Sequence, residues 1–96
     1  MAASVGWTPR ARDDLEAARL FIARDSLRAA AMLVGRVYSA VSHLEEFPLS
    51  GRVVPEYGEQ SIREVIVRPY RIFYEVEGDR VRILAVHHSA RQIPDL

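Results

Sequence analysis

The last third of the chain carries a repeated strand pattern that restricts its fold more than any other feature. Three runs rich in β-branched and aromatic residues occupy positions 62–67, 70–76 and 81–88. Arg68-Pro69 separates the first two runs, and Glu77-Gly78-Asp79 separates the last two with the residues of a hairpin turn. Connections this short join antiparallel neighbours. We therefore expect a three-stranded antiparallel meander.

A helical hairpin is predicted ahead of these strands. Thr8 is a good N-cap, and Pro9 suits the first helical position. Apolar residues then recur three or four positions apart, at Ala11, Leu15, Ala18 and Ile22. A second stripe follows Asp25-Ser26 and comprises Leu27, Ala30, Val34, Val37, Val41 and Leu44. Phe47-Pro48 ends this helix, and the short connection makes the two helices antiparallel.

A short strand at 3–7 and a loop at 49–60 complete the predicted order, which is β-α-α-β-β-β. The helical hairpin is expected to pack on one face of a mainly antiparallel sheet, which is an α+β fold. The 96 residues suffice for one two-layer core. We therefore predict a single domain over residues 1–96, whose other sheet face needs another cover or a partner.

The charge balance argues against a strongly basic nucleic-acid-binding protein. The 13 basic and 13 acidic residues cancel, and every basic residue is arginine. The sequence has no cysteine, which excludes disulfides and a thiol nucleophile. It has no apolar run of membrane-spanning length, and its first residues lack the pattern of a signal peptide. We therefore expect a cytoplasmic protein without a membrane partner.

The histidines do not predict a metal site. His87 and His88 are neighbours on a strand, so their side chains point to opposite faces. His43 lies apart on the second helix, and no cysteine or spaced acidic cluster joins it. The glycines stand alone, without a phosphate-cradling loop. We therefore expect neither a metal ion nor another cofactor.

Strand alternation divides the meander side chains between the two sheet faces. The residues of the second run predicted to face the helices are Ile72, Tyr74 and Val76. Those predicted to face away are Arg71, Phe73 and Glu75. In the third run, the residues that share a face with Arg82 are Leu84, Val86 and His88, and we expect that face to point away from the helices, with His87 inward. Phe73, Leu84 and Val86 would then form exposed apolar surface, which indicates a binding partner.

Five short motifs follow one another along nearly the whole chain. They are Thr8-Pro9-x-Ala11-x-x-Asp14-Leu15, Leu44-x-x-Phe47-Pro48-x-x-Gly51-Arg52, Arg63-Glu64, Pro69-Tyr70-Arg71-Ile72-x-Tyr74 and the His87/His88–Arg91 ending. In this order they resemble the RelE/ParE toxin superfamily of bacterial type II toxin–antitoxin modules. The resemblance implies a cognate antitoxin whose C-terminal segment wraps the toxin and neutralises it.

The resemblance also implies one of two activities. RelE-like members cleave mRNA in the ribosomal A site, and ParE-like members block DNA gyrase. RNA-cleaving relatives use two arginines, matched here by Arg71 and Arg91, which suit an anionic transition state. Those relatives also use lysines and a C-terminal tyrosine for proton transfer, whereas this chain has no lysine and no tyrosine in its tail. The ending at 89–94 resembles the ParE branch.

The favoured prediction is a ParE-like toxin that inhibits DNA gyrase without catalysing a reaction, with growth arrest and plasmid stabilisation as its effects. Its predicted target-binding residues are Arg63, Arg71, His88 and Arg91. Its predicted antitoxin contacts are Phe73, Leu84 and Val86. The alternative is a ribosome-dependent mRNA endoribonuclease whose catalytic residues would be Arg71, Arg91, His88 and Glu64. A third possibility is an inactive module that only binds an antitoxin.

Overall fold

The structure, a computed structural model, describes residues 2–96 and contains the predicted helices and strands in the predicted order. The elements are β1 (Ser4–Trp7), α1 (Pro9–Ala23), α2 (Leu27–Glu46), β2 (Arg52–Val53), β3 (Ile62–Val67), β4 (Tyr70–Glu77) and β5 (Arg80–His88). Strand β2 is an addition, since it lies in the segment predicted as a loop and pairs with β3. Two residues are too few to show the alternation by which strands are recognised in a sequence.

Both helices begin at side-chain caps. The Thr8 hydroxyl oxygen accepts a hydrogen bond from the Ala11 N–H with an N···O distance of 3.1 Å. Ser26 caps α2 in the same way and accepts from the Ala29 N–H at 3.0 Å. The Thr8 hydroxyl also donates to the Leu84 carbonyl oxygen at 3.2 Å. The start of α1 is therefore fastened directly to β5.

The five strands form one sheet in the order β1-β5-β4-β3-β2. Strand β1 runs parallel to β5, and the other neighbours are antiparallel. The turn between β3 and β4 contains the cis peptide bond Arg68-Pro69, and Gly78 adopts a φ of 59° in the turn between β4 and β5. The predicted meander and the α+β class are confirmed.

The main core lies between the helices and one face of the sheet. Its residues include Ala11, Leu15 and Ala18 of α1, Leu33, Val37, Val41 and Leu44 of α2, and Ile72, Tyr74, Val81 and Ile83 of the sheet. Tyr74 is fully buried, and its hydroxyl donates to the Pro48 carbonyl oxygen and accepts from the Gly51 N–H, both at 2.9 Å. Burial raises the pKa of the Tyr74 hydroxyl, which keeps it a proton donor at neutral pH.

A second, smaller core covers the other face of the sheet. Val54, Phe73 and Ala85 are fully buried there, and Tyr57 and Ile93 pack against them. The expected exposure of Phe73 is therefore wrong. The chain itself supplies the cover, from the segment between β2 and β3 and from the tail after β5.

A β-bulge in β5 changes the predicted distribution of side chains between the faces. Phe73 lies opposite Ala85, but the next residue, Tyr74, lies opposite Ile83. Leu84 is therefore an extra residue without a partner on β4, and it packs against the second core as a partly buried side chain. Beyond this point the alternation along β5 is reversed.

The reversal places three residues on faces opposite to those predicted. Val86 is in the helix-side core with 5% exposure. His88 follows on the same side, where its ring centroid is 5.3 Å from that of Tyr70. His87 lies on the other face and stacks on Phe73. The predicted orientations of Val86, His87 and His88 are wrong because the sequence shows no sign of the extra residue.

Gly51→Ala is expected to destabilise the fold. A Cβ atom at Gly51 would lie 2.5 Å from the Glu64 backbone oxygen and 2.5 Å from the Tyr74 hydroxyl oxygen. Relieving this overlap requires backbone movement, at a cost of roughly 1–3 kcal/mol. Gly35→Ala is the matched control, because its Cβ meets open space in α2 and improves helix propensity by about 1 kcal/mol. Urea unfolding measures both, and unchanged or increased stability of Gly51→Ala would contradict this packing.

Candidate functional site

Arg71 lies at the centre of a group of charged side chains on the sheet face away from the helices. Its Nε donates to Glu64 Oε1 at 2.6 Å, and its Nη2 donates to Glu64 Oε2 at 2.9 Å. Glu64 lies on the neighbouring strand β3 with its side chain fully buried, and the Arg71 side chain is 13% exposed. Two parallel hydrogen bonds fix the plane of the guanidinium relative to the sheet.

Glu56 occupies the outer end of the same guanidinium. Arg71 Nη1 donates to Glu56 Oε2 at 2.7 Å, and Nη2 donates to Oε1 at 2.8 Å. Hydrogen bonding to Arg71 lowers the pKa of Glu56 to about 2. The pKa of Arg71 is raised by its hydrogen bonds to Glu56 and Glu64. Arg71 and Glu56 therefore both stay ionised around neutral pH.

Arg52 completes the group. It lies opposite Glu64 in the pairing of β2 with β3, and its Nε donates to Glu64 Oε2 at 2.9 Å. We call Arg52, Glu56, Glu64 and Arg71 the arginine–glutamate cluster. Its two guanidinium groups and two carboxylates cancel in charge. The guanidinium makes four hydrogen bonds to Glu56 and Glu64, which use four of its five N–H donors, so a phosphate group could contact Arg71 through two donors only by displacing a carboxylate.

The ring of Phe73 joins the cluster to His87 and to the C-terminal tail. Arg71 Cζ lies 5.0 Å from the centroid of the Phe73 ring. The His87 ring stacks on the same ring with centroids 5.6 Å apart and planes at 20°. Tyr57 meets Phe73 edge-on at 5.9 Å, and its hydroxyl donates to the Pro94 carbonyl oxygen. The tail is thereby held across this face.

The predicted target-binding residues do not share one surface. Arg63 lies opposite Tyr74 in the strand register and therefore faces the helix side, away from Arg71. Its Nη1 donates to the carbonyl oxygens of Leu49 at 3.3 Å and Gly51 at 3.0 Å. Its Nε is buried without a hydrogen-bond partner among residues 2–96. Arg63 thus supports the chain segment that leads into β2.

His88 and Arg91 lie where β5 ends, beside a polar cleft of about 220 Å³. His88 Nδ1 accepts from the Ala90 N–H at 3.1 Å, and His87 Nε2 lies 3.0 Å from the Arg91 carbonyl oxygen. The remaining walls come from the start of α1 and from the tail, with Arg10, Asp14, Gln92 and Pro94 among them. The structure therefore brings His87, His88 and Arg91 together at one place.

Sequence reasoning missed three members of this face, namely Arg52, Glu56 and Tyr57. They lie between α2 and β3, where turn residues predict a loop but no periodicity indicates what the loop covers. The prediction considered Glu64 only as a proton-transfer group. The structure shows that Glu64 is fully buried and that its carboxylate holds two arginines, Arg52 and Arg71, on neighbouring strands.

The charged side chains of this face are arginines and glutamates that are paired with one another. Within residues 2–96, no three or more His, Cys, Asp or Glu side chains are arranged to hold a metal ion. Among residues 2–96, no helix combines the length and the apolar character that a membrane span requires. The side chains equipped to bind an anion are Arg52, Arg71 and Arg91, since guanidinium groups match carboxylate and phosphate geometry.

Comparison with known proteins assigns the chain to a family. The model of the ParE toxin of the type II toxin–antitoxin system parDE matches residues 5–93. The chain belongs to the ParE toxin family. It is therefore a toxin of the ParE/RelE superfamily of type II toxin–antitoxin systems, as the resemblance of its motifs implies.

Two relatives align with this ParE-family toxin over nearly their full lengths. Toxin RelE2 of Caulobacter vibrioides is 39% identical over 90 residues, which are 93% of this chain and 98% of the relative. Y4kP of Sinorhizobium fredii is 38% identical over 95 residues, which are 96% of this chain and 94% of the relative. One relative thus carries a RelE name, whereas the matching family model is that of the ParE toxin.

Solved structures share the fold of this ParE-family toxin. A chain of the chromosomal ParDE system from P. aeruginosa superposes with a TM-score of 0.73 at 21% identity, covering 91% of this chain and 96% of that one. A chain of the toxin–antitoxin complex RelBE2 from Mycobacterium tuberculosis gives 0.61 at 24% identity, covering 92% and 99%. At these identities the likeness shows a common fold alone.

Glu56→Gln is expected to lower stability in a pH-dependent way. The pKa of Glu56 is about 2 in the fold, against an ordinary value of 4.5, so its stabilising contribution is complete above about pH 5 and shrinks as the pH falls toward 2. Because the Glu56 side chain is 39% exposed, we expect a difference of only about 0.5–1 kcal/mol at pH 7. Urea unfolding between pH 7 and about pH 3 measures it, with Glu59→Gln as the control. A difference that grows on acidification would contradict the ion pair.

Proposed function

We propose that this toxin inhibits DNA gyrase by binding to it, without catalysing a reaction. The observation that carries the proposal is the state of Arg71, whose guanidinium makes four hydrogen bonds to Glu56 and Glu64. An arginine that stabilises a phosphoryl transition state needs its donors directed at the position where charge develops. Here four of the five donors are directed at carboxylates of the same chain, within a cluster of no net charge.

Groups for proton transfer are also scarce beside Arg71. Cleavage of RNA needs a base and an acid within hydrogen-bond reach of the reacting oxygens. The chain has no lysine, and Glu64 is fully buried and bonded to two arginines. The His87 ring is stacked on Phe73 with its Nε2 at the Arg91 carbonyl oxygen. This arrangement supports recognition of a target rather than chemistry.

Arg91 and His88 are the residues that we propose contact the target. Arg91 is exposed and His88 is partly exposed, and both border the cleft at the end of β5. Arg63 supports the fold from the other face, and Arg71 is held within the cluster. The target surface that we propose is therefore smaller than the set of four residues predicted from the sequence.

A cognate antitoxin is part of the same proposal. The fold is shared with chains described as members of a ParDE system and of a RelBE2 toxin–antitoxin complex. Leu84 remains our proposed antitoxin contact, since it is only partly buried, whereas Phe73 and Val86 are enclosed. We also propose that residues 1–96 act as a single domain in the cytoplasm, where gyrase and ribosomes are found.

The second candidate function is ribosome-dependent cleavage of mRNA. One observation favours it, namely that His87, His88 and Arg91 border the same polar cleft. A histidine is suited to proton transfer near neutral pH, and an arginine to a phosphate group. Identity of 39% to Toxin RelE2 supports this candidate as well as the first.

Arg91→Ala is expected to weaken inhibition of gyrase about tenfold or more, because arginines at the centre of interfaces contribute about 2 kcal/mol or more to binding. The measurement is DNA supercoiling by purified gyrase over a range of toxin concentrations. Arg12→Ala is the matched control, since it removes another exposed arginine, from α1, and is expected to inhibit as the unchanged toxin does.

Pulse-labelling after induction in cells separates the two candidates. Gyrase inhibition predicts that DNA synthesis stops before protein synthesis and that mRNA stays intact. If the purified toxin leaves supercoiling unaffected and cuts translated mRNA at defined codon positions, the proposed function is wrong. Loss of those cuts in a folded Arg91→Ala variant would then support the second candidate.

A further inference from the structure

Strand β1 covers only the first part of the outer edge of β5. The pairing of these two strands ends where Trp7 lies opposite Ile83. From Leu84 to His88, no strand among residues 2–96 lies on that side of β5. The backbone groups of β5 that point outward there need other partners. The start of α1 supplies them.

Thr8, which caps α1, and Asp14 within α1 bind this edge on either side of the bulge at Leu84. The Thr8 N–H donates to the Ile83 carbonyl oxygen at 3.0 Å, and the Thr8 hydroxyl donates to that of Leu84 at 3.2 Å. Asp14 Oδ2 accepts from the Val86 N–H at 3.0 Å. A hydrogen bond to an ionised acceptor is roughly twice as strong as one between neutral groups, so Asp14 provides the strongest of the three contacts.

The backbone after Val86 leads directly into the residues that border the cleft at the end of β5. His87 Nε2 lies 3.0 Å from the Arg91 carbonyl oxygen, and the Arg91 N–H donates to the His88 carbonyl oxygen at 3.0 Å. The turn that carries Arg91 is therefore built on both histidines. Because side chains alternate between the two faces of a strand, the position of the bulge also decides which histidine ring stacks on Phe73.

We propose that Asp14 is a positioning residue for the target surface, because its hydrogen bond to Val86 holds the end of β5 in the register that places His88 and Arg91 at the cleft. The inference rests on the proposed function, in which His88 and Arg91 contact the target. It also gives a role to the polar members of the first sequence motif. Thr8 and Asp14 bind the edge of β5, whereas the apolar members of the motif lie in the core.

Asp14 has a second partner, whose contribution can be separated from that of Val86 by substitution. Arg10 Nε lies 3.8 Å from Asp14 Oδ2, and the Arg10 side chain is 49% exposed. An exposed ion pair at this distance contributes little. Asparagine at position 14 keeps an oxygen acceptor for the Val86 N–H and removes the charge that faces Arg10. Alanine removes both the acceptor and the charge.

Asp14→Ala and Asp14→Asn in the full chain test the inference, with Asp13→Ala as the control. Asp13 is exposed and precedes Asp14 in α1, so its substitution removes the same charge from the same helix. Alanine favours helix, and we expect Asp14→Ala to fold. The histidine ring signals are followed by NMR and assigned by single His→Gln substitutions. The stacking of His87 on Phe73 gives its ring signals a ring-current shift, and His43 on α2 is the internal reference.

In Asp14→Ala we expect the ring-current shift of His87 to be lost. We also expect the toxin concentration that half-inhibits supercoiling by gyrase to rise about tenfold, since a hydrogen bond to a charged group is removed from the support of the target surface. Asp14→Asn and Asp13→Ala are expected to keep the His87 shift and to inhibit within about threefold of the unchanged toxin.

An unchanged His87 signal in Asp14→Ala would overturn the proposal, as would full inhibition by that variant or a loss of inhibition that Asp14→Asn shares. If Asp14→Ala does not fold, Asp14→Glu takes its place, because it keeps the charge and displaces the acceptor oxygens by one methylene group. If the unchanged toxin does not inhibit gyrase, the proposed function is wrong, and the His87 signal still decides whether Asp14 holds the end of β5.

Discussion

The buried carboxylate of Glu64 is the constraint on which the sheet face away from the helices depends. Removing an ionised carboxylate from water costs several kcal/mol unless charged partners surround it. Arg71 on β4 and Arg52 on β2 supply those partners from both sides of β3. The Glu64 carboxylate thereby links β2, β3 and β4, and its ion pair with Arg52 stabilises the pairing of the two-residue strand β2 at the edge of the sheet. The same requirement fixes Arg71, so its orientation follows from the stability of the fold.

The two faces of the sheet are covered in different ways. Helices α1 and α2 bury one face, whereas the segment 54–61 between β2 and β3 and the C-terminal tail bury Phe73 and Ala85 on the other. The tail is tied to its surroundings by the Tyr57 hydroxyl at Pro94 and by Arg10 Nη1, which donates to the Asp95 carbonyl oxygen at 3.2 Å. A partner that approaches this face therefore meets these two segments and a cluster without net charge, whose Arg52 and Glu56 side chains are 62% and 39% exposed.

Membership of the ParE toxin family establishes the class of the protein, and our proposal of binding rather than cutting rests on the site. A guanidinium stabilises a transition state when its donors point to the place where charge develops, and four of the five donors of Arg71 are bound to Glu56 and Glu64. The cleft beside His87, His88 and Arg91 is the place where the rival activity would reside. Arg71 lies opposite His87 in the pairing of β4 with β5, so the arginine–glutamate cluster and the cleft are neighbours on the sheet.

The sequence by itself determined both helices and the strands β1, β3, β4 and β5, because their causes are local. The Thr8 cap, the apolar stripes of the helices, and the Arg68-Pro69 and Glu77-Gly78-Asp79 turns act within a few residues of one another. The α+β class follows from their order, and the family resemblance rests on the same short motifs.

Only the tertiary structure decided which side chains meet. One extra residue, Leu84, moved Val86 and His88 to the helix side and His87 to the other, because strand alternation has a period of two. Arg63 lies opposite Tyr74, three positions from Arg71 along β4, so Arg63 and Arg71 lie on opposite faces of the sheet. The contact of Glu56 with Arg71 depends on the path of the segment 54–61, and that path is set by the burial of Val54 and Tyr57 against the sheet rather than by any local sequence pattern.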